Sequence, residues 1–218
     1  MIIDDENFDK LSKEIYLSLK KYLDLKERVN FFVSGGKSPI RLFQKLSNMD
    51  LDWHRINVFL VDERVVSTFS EDSNSNLVQT YLLQNKAAKA KFYGLDNSLL
   101  HDELALVRNF NNYFASPDVL VLGMGEDAHT ASIFPKAYNL DELLTSKQNY
   151  CLTSSEGVKY KRITLSKNTI LQSKTIFLSI NSQKKEQMLN LALKDESKLY
   201  PISYFTKKLK VYYEKTSC

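Results

Sequence analysis

Residues 118–135 read DVLVLGMGEDAHTASIFP: a short apolar run, two closely spaced glycines, then a polar loop holding one of only three histidines in the chain. DVLVL is the most buried-looking strand of the sequence, and strands of that kind occur where helices cover both faces of a parallel sheet. The same pattern repeats on either side of it. Upstream, VNFFV at 29–33 runs into Ser34-Gly35-Gly36, and INVFLV at 56–61 stops at Asp62-Glu63-Arg64. Downstream come RITL at 162–165, TIFLSI at 175–180 and a last strand near Val211. Between them, Phe8, Leu11, Ile15, Leu19 and Leu23 recur at spacings of three and four, which predicts an amphipathic helix. A second helix is expected to open at Ser38-Pro39, with serine as its cap and proline in its first position, and to turn Ile40, Phe43 and Leu46 inward. Shorter helices are expected over 77–83, around Val107, Phe110 and Phe114, and over 184–193.

Strands alternating with helices imply a single α/β domain over residues 1–218, with a mostly parallel sheet and helices on both faces. In such folds ligands bind beyond the carboxyl ends of the strands. Three of the strands end in SGGKSP, DER and GMGEDAH, so these polar clusters should gather along one edge of the sheet.

Composition narrows the function classes. Hydrophobic residues make up 43% of the 218 and charged residues 26%, which is globular and not disordered. The net charge of +4 is spread along the chain, whereas a nucleic-acid binder gathers its basic residues on one helix or arm. The mild excess suits an anionic small molecule. The start, MIIDDENFDK, lacks the features of a signal peptide, and no stretch approaches the ~18 apolar residues of a membrane span. Cys151 and Cys218 are the only cysteines and form no CxxC pattern, so neither a disulfide framework nor a metal site is expected. The expected setting is the cytosol, the expected partner a small molecule, and the expected state a monomer or small homo-oligomer.

Each cluster admits two readings. In SGGKSP, Gly35 and Gly36 allow a sharp turn and close ligand approach, the following helix offers free N–H groups to a phosphate, and Lys37 adds charge. A plain tight turn explains the glycines equally well, and the spacing is not that of a Walker A loop. In DER, two carboxylates and Arg64 either pair among themselves at the surface or meet a ligand; Arg64 suits bidentate contact with phosphate. In the third cluster, His129 is placed to titrate near neutrality and act as a general base. Asp127, two residues earlier, either orients it or is structural. His54 and His101 have no comparable setting and read as structural.

Taken together, SGGKSP, FLVDERVVSTFSEDSNSNL at 59–77, VLVLGMGEDAHTASIFP at 119–135 and RITLS at 162–166 resemble, in order and spacing, the signature of the 6-phosphogluconolactonase family. The resemblance runs from about residue 29 to 180. It implies a Rossmann-like fold shared with glucosamine-6-phosphate deaminases and ribose-5-phosphate isomerases. It also implies hydrolysis of 6-phospho-D-glucono-1,5-lactone in the oxidative pentose phosphate pathway, without metal or organic cofactor. By the same resemblance His129 takes the proton of water, with Asp127 beside it. Gly35, Gly36, Lys37, Ser38 and Arg64 hold the phosphate, with Arg162, Lys161 or Lys159 closing over it. Backbone N–H groups at Gly123 and Gly125, or at Gly35-Gly36, receive the oxyanion, and Asp62 belongs to the site by motif alone.

The deaminase branch is the nearest alternative, but its loop typically runs G-H-I-A-F-N-E-P and an aromatic residue follows its DE pair. Here the loop reads AHTASIFP and Arg64 follows. A non-catalytic sugar-phosphate-binding protein of the same fold is the second alternative. The chain also departs from the family pattern. Ala128 stands where glycine is usual, Lys37-Ser38 replaces Ser-Thr, Asn181 replaces glycine, and the tail KVYYEKTSC lacks a W-x-x-D ending unless Glu214 replaces its aspartate. Ala128 is strained if its φ is positive and harmless if negative.

Overall fold

Short apolar strands leave their backbone groups unsatisfied until they lie side by side, and helices with one apolar stripe must then cover them. The computed structural model, which describes residues 2–215, has this arrangement. In chain order the elements are β1 (Ile2–Glu6), α1 (Asp9–Leu23), β2 (Val29–Val33), α2 (Ile40–Ser47), β3 (Ile56–Leu60), β4 (Asp62–Arg64), α3 (Asn74–Tyr81), β5 (Lys91–Tyr93) and α4 (Glu103–Asn112). They continue with β6 (Val119–Gly123), α5 (Leu140–Thr145), β7 (Tyr150–Thr153), β8 (Arg162–Leu165), α6 (Lys167–Gln172), β9 (Thr175–Ile180), α7 (Gln183–Ala192) and β10 (Leu209–Lys215).

Seven strands form one parallel sheet in the order β1-β10-β9-β6-β2-β3-β5. The expected α/β fold is therefore present, with β6 at the centre and Val119 to Leu122 buried on both faces. Alternation divides those side chains between two cores. Leu120 and Leu122 join Phe32, Phe59 and Leu178 beneath α4 to α7; Val119 and Val121 join Phe31, Val58 and Phe177 beneath α1, α2 and α3. Each fully buried side chain of this size contributes roughly 1.5–3 kcal/mol. The strand order reverses between β2 and β6, and a crevice opens beyond their carboxyl ends.

Several elements differ from expectation. The triplet DER does not merely end a strand; it leaves the parallel sheet and becomes β4, antiparallel to β8, which pairs with β7 in a second, three-stranded sheet. The second helix starts at Ile40, not Ser38. Pro39 precedes it with φ −83° and ψ 2°, and no side chain caps it. The helix expected over 77–83 begins earlier, at Asn74, because Ser73 Oγ accepts the Asn76 N–H as its cap. The short strands β1, β5 and β7 were not anticipated. Cys151 is buried and unpaired among the described residues; Cys218 and the last residues of the tail lie outside them. No helix among the described residues is long and apolar enough to cross a membrane.

Candidate active site

A cavity of about 420 Å³ lies at this crevice, and all three polar clusters reach it. Gly35, Gly36 and Ser38 come from the turn after β2, Asp62 and Arg64 from β4, and Gly123, Gly125 and His129 from the loop after β6. Arg162, at the start of β8, also lines the cavity.

The histidine loop is held by its own bonds. Gly125 N–H donates to the His129 carbonyl at 2.9 Å, Ala128 N–H to the Gly125 carbonyl at 3.1 Å, and Thr130 Oγ1 to the Gly123 carbonyl at 2.8 Å. This tight path puts Ala128 at φ +63° and Ala131 at +52°. Alanine therefore does occupy a left-handed position before the histidine, at a cost of roughly 1–2 kcal/mol; its methyl group is fully buried in the core. Asp127 Oδ1 lies 2.5 Å from His129 Nδ1 and accepts the His129 backbone N–H at 3.2 Å. Burial pushes the Asp127 carboxyl up, but the hydrogen bond and charge of His129 outweigh it and leave its pKa below the ordinary value. An ionised Asp127 favours the tautomer with the proton on Nδ1, which leaves Nε2 as an acceptor. Gly125 is needed for this pairing, since a Cβ there would fall 2.2 Å from the imidazole and 2.6 Å from Asp127 Oδ1. Asp127 stands behind His129 and does not line the cavity itself.

The DER triplet separates into three roles. Glu63 is fully buried and accepts the backbone N–H groups of Arg64, Asn74 and Ser75 and the hydroxyl of Ser73, so it anchors the start of α3. Burial raises its pKa, and those hydrogen bonds draw it only part of the way back. Asp62 accepts Ser132 Oγ at 2.5 Å and reaches the cavity wall. Arg64 pairs with neither carboxylate through its guanidinium, which donates instead to the Asp72 carbonyl.

Arg64 and Arg162 are register partners across β4 and β8. Like charges directly opposite on antiparallel strands repel. Burial lowers the Arg162 pKa, Asp62 offsets this, and Arg64 lowers it again. Among the described residues, the buried Nε atoms of both arginines have no hydrogen-bond partner, nor do Ser34 Oγ and Asn74 Oδ1. All four residues line this one cavity. An orphaned buried polar group costs about 1–3 kcal/mol, and the two guanidinium charges suit this wall to an anionic occupant. Gly35 belongs to the same wall because a Cβ there would meet Asn74 Oδ1 at 1.8 Å, and Gly36 adopts φ +86°.

Two expected phosphate contacts are not in the wall. Lys37 is exposed and is not part of the cavity lining, and Lys161 pairs with Glu103 at 2.7 Å. Lys159 does line the cavity and also reaches Asp72 at 3.4 Å. Phe8, Asn74 and Lys185 are among the lining residues to which the sequence reading gave no part in the site. Lys185, in the first turn of α7, lies 2.9 Å from Asn181 Oδ1, and burial lowers its pKa. The strand-end rule, applied to TIFLSI as it was to the other strands, would have found it. His54 and His101 are exposed and remote from the cavity.

Comparison with known proteins identifies the family of the chain. The family model described as glucosamine-6-phosphate isomerases/6-phosphogluconolactonase matches residues 4–213. The chain is similar to the 6-phosphogluconolactonase of Helicobacter pylori, strain ATCC 700392 / 26695, with 40% identity over 181 residues, 83% of this chain and 77% of that one. Against the 6-phosphogluconolactonase of Neisseria meningitidis serogroup A, identity is 38% over 193 residues, covering 85% and 83%. The crystal structure of a 6-phosphogluconolactonase from Shewanella baltica OS155 superimposes with a TM-score of 0.90 at 32% identity, covering 98% of each chain.

Proposed function

The chain belongs to the family of glucosamine-6-phosphate isomerases and 6-phosphogluconolactonases, and from that premise we propose how its residues hydrolyse a phosphorylated sugar lactone. The activity is hydrolysis of 6-phospho-D-glucono-1,5-lactone to 6-phospho-D-gluconate, as in the relatives that carry the lactonase name. The observation that carries the residue assignment is the placement of two opposed, incompletely satisfied arginines and an Asp-supported histidine on one cavity.

The phosphate sits between Arg64 and Arg162, where its charge relieves their repulsion and its oxygens accept from their guanidinium N–H groups. Lys159 and Lys185 extend the positive wall, and Ser38 adds a hydroxyl. Lys37 and Lys161 are left to solvent and to Glu103. At the other pole, Nε2 of His129 takes a proton from water as that water attacks the lactone carbonyl carbon. Asp127 stabilises the imidazolium that forms. When the tetrahedral intermediate collapses, the C1 to ring-oxygen bond breaks and the imidazolium returns its proton to that oxygen. A base placed this way contributes ~10²–10⁴ in rate.

The oxyanion falls to the Gly35-Gly36 turn, whose N–H groups have no partner among the described residues, since the Gly125 N–H is committed to His129. Asp62, with one oxygen on Ser132, offers the other to a sugar hydroxyl. No step calls for a metal or an electron sink.

The test is turnover of freshly generated lactone by the purified protein, with spontaneous ring opening subtracted and ammonia release from glucosamine 6-phosphate followed in parallel. Lactone hydrolysis without ammonia release is expected. Ammonia release without lactone hydrolysis would assign the chain to the isomerase side of its family.

A further inference from the structure

Phe8 lines the cavity from the connection between β1 and α1, yet the steps described above do not use it. Its backbone is unusual. Asn7 and Phe8 are consecutive non-glycine residues in the left-handed region, at φ 52° and 60°. L-residues adopt that conformation at a cost, and a pair of them persists only where the surroundings impose it.

Two buried carboxylates impose it here. Asp5 on β1 and Glu214 on β10 are register partners on adjacent parallel strands, 1% and 3% exposed. Asp5 accepts the N–H groups of Lys10 and Leu11 at 2.8 Å each and so caps the first turn of α1. Glu214 Oε2 accepts the Phe8 N–H at 2.9 Å, while its Oε1 is buried with no partner among the described residues. The Phe8 carbonyl then starts the helix by accepting the Ser12 N–H at 2.9 Å. The turn is thus clamped at the residue that enters the cavity. Phe8, itself 4% exposed, forms with Pro39 and Leu42 an apolar stretch of wall beside the Gly35-Gly36 turn.

A sugar lactone presents C–H bonds between its hydroxyls, and an aromatic side chain is suited to pack against them. We propose that Phe8 is a substrate-contacting specificity residue, the apolar wall for the lactone ring, and that Glu214 is its positioning residue. The proposal rests on the lactonase reading for the identity of the ligand. It also gives the terminal strands a part in the site: β1 and β10 supply the clamp, so Glu214 acts at a distance from the chemistry through Phe8 alone.

The experiment measures KM for the lactone and the Kd for 6-phosphogluconate on wild type, Phe8→Ala, Phe8→Leu, Glu214→Gln and the Phe8→Ala/Glu214→Gln double variant. Phe8→Ala is expected to raise both constants about 10-fold, the scale of one lost apolar contact in a pocket, with kcat changing much less. Phe8→Leu, which keeps the core packing, falls between wild type and Phe8→Ala, and it carries the test alone if the alanine variant does not fold. Glu214→Gln raises the same constants, and adds nothing in the Phe8→Ala background. A wild-type Kd in folded Phe8→Ala or Phe8→Leu overturns the proposal, as does a Glu214→Gln effect of equal size with and without Phe8. A wild type that binds 6-phosphogluconate through Phe8 yet turns over no lactone would contradict the lactonase reading while leaving the wall in place.

Discussion

The loop that carries His129 and the strand pair that carries Arg64 and Arg162 face the same cavity, but they are completed in different ways. The histidine loop closes on itself: Gly125, Ala128, Thr130 and Asp127 all bond within residues 123–130, and His129 is held without help from a ligand. The arginine pair is left open, with like charges in register and a buried Nε on each without a partner among the described residues. On the assignment proposed above, the protein fixes its reacting group in advance and leaves its anchoring group for the substrate to complete. That division is sound chemically. A general base must hold its geometry through the reaction, whereas an anion site gains affinity from charges that are unsatisfied until the anion arrives.

The largest effect that would break this comparison comes from the closed pole. His129→Ala is expected to lower kcat by ~10²–10⁴ while leaving KM close to wild type, read by steady-state kinetics on the lactone. A comparable rise in KM would mean that the histidine also anchors substrate. Next in size is Ala128. At φ +63°, a β-branched side chain is a severe outlier, so Ala128→Val should destabilise the protein by ~2 kcal/mol or more in chemical denaturation. Ala128→Gly should stay within roughly 1 kcal/mol of wild type, because relief of the left-handed strain offsets the unfolded-state entropy of glycine and the lost methyl contact.

The smallest effect concerns Asp127. Its folded pKa lies below the ordinary carboxyl value, despite the opposing effect of burial, because His129 donates to it. A carboxyl of this kind stabilises the fold above its unfolded pKa, and the contribution is lost as pH falls through the folded value. The side chain is 52% exposed, so solvent screening limits the effect to ~0.2–1 kcal/mol. Stability curves of wild type and Asp127→Asn should converge below about pH 4 and separate above it. A gap that widened toward acid would reverse the assigned sign.

The two poles were also unequally legible in the sequence. DVLVLGMG and VNFFVSGG announce themselves because a buried parallel strand must be apolar throughout, and its ending in glycine marks the ligand edge. Arg64 and His129 followed from that edge, and both reach the cavity. What stayed hidden depends on contacts between distant segments. That DER is a strand, and that its arginine faces Arg162, is decided by pairing with residues nearly a hundred positions away. Glu63 looked like a partner for Arg64, but it is consumed by the N–H groups at the start of α3. Lys37 and Lys161 illustrate a different limit: a long flexible stem lets a lysine near a motif turn to solvent or to an acidic neighbour such as Glu103. Phe8 was hidden in plain view, since its spacing with Leu11 and Ile15 reads as helix core, and only the backbone shows the clamp that turns it into the cavity. The φ of Ala128 was posed by the sequence as a question and answered by the loop's internal bonds.

The division between a closed catalytic pole and an open anion pole is tested most directly by thermal unfolding with and without 6-phosphogluconate, on wild type, His129→Ala and Arg162→Gln. Ligand at ~100 times Kd stabilises a protein by ~2.7 kcal/mol. Wild type and His129→Ala should gain that full increment, and Arg162→Gln should lose most of it at the same ligand concentration. Equal stabilisation of Arg162→Gln and wild type, or loss of the increment in His129→Ala, would contradict the account.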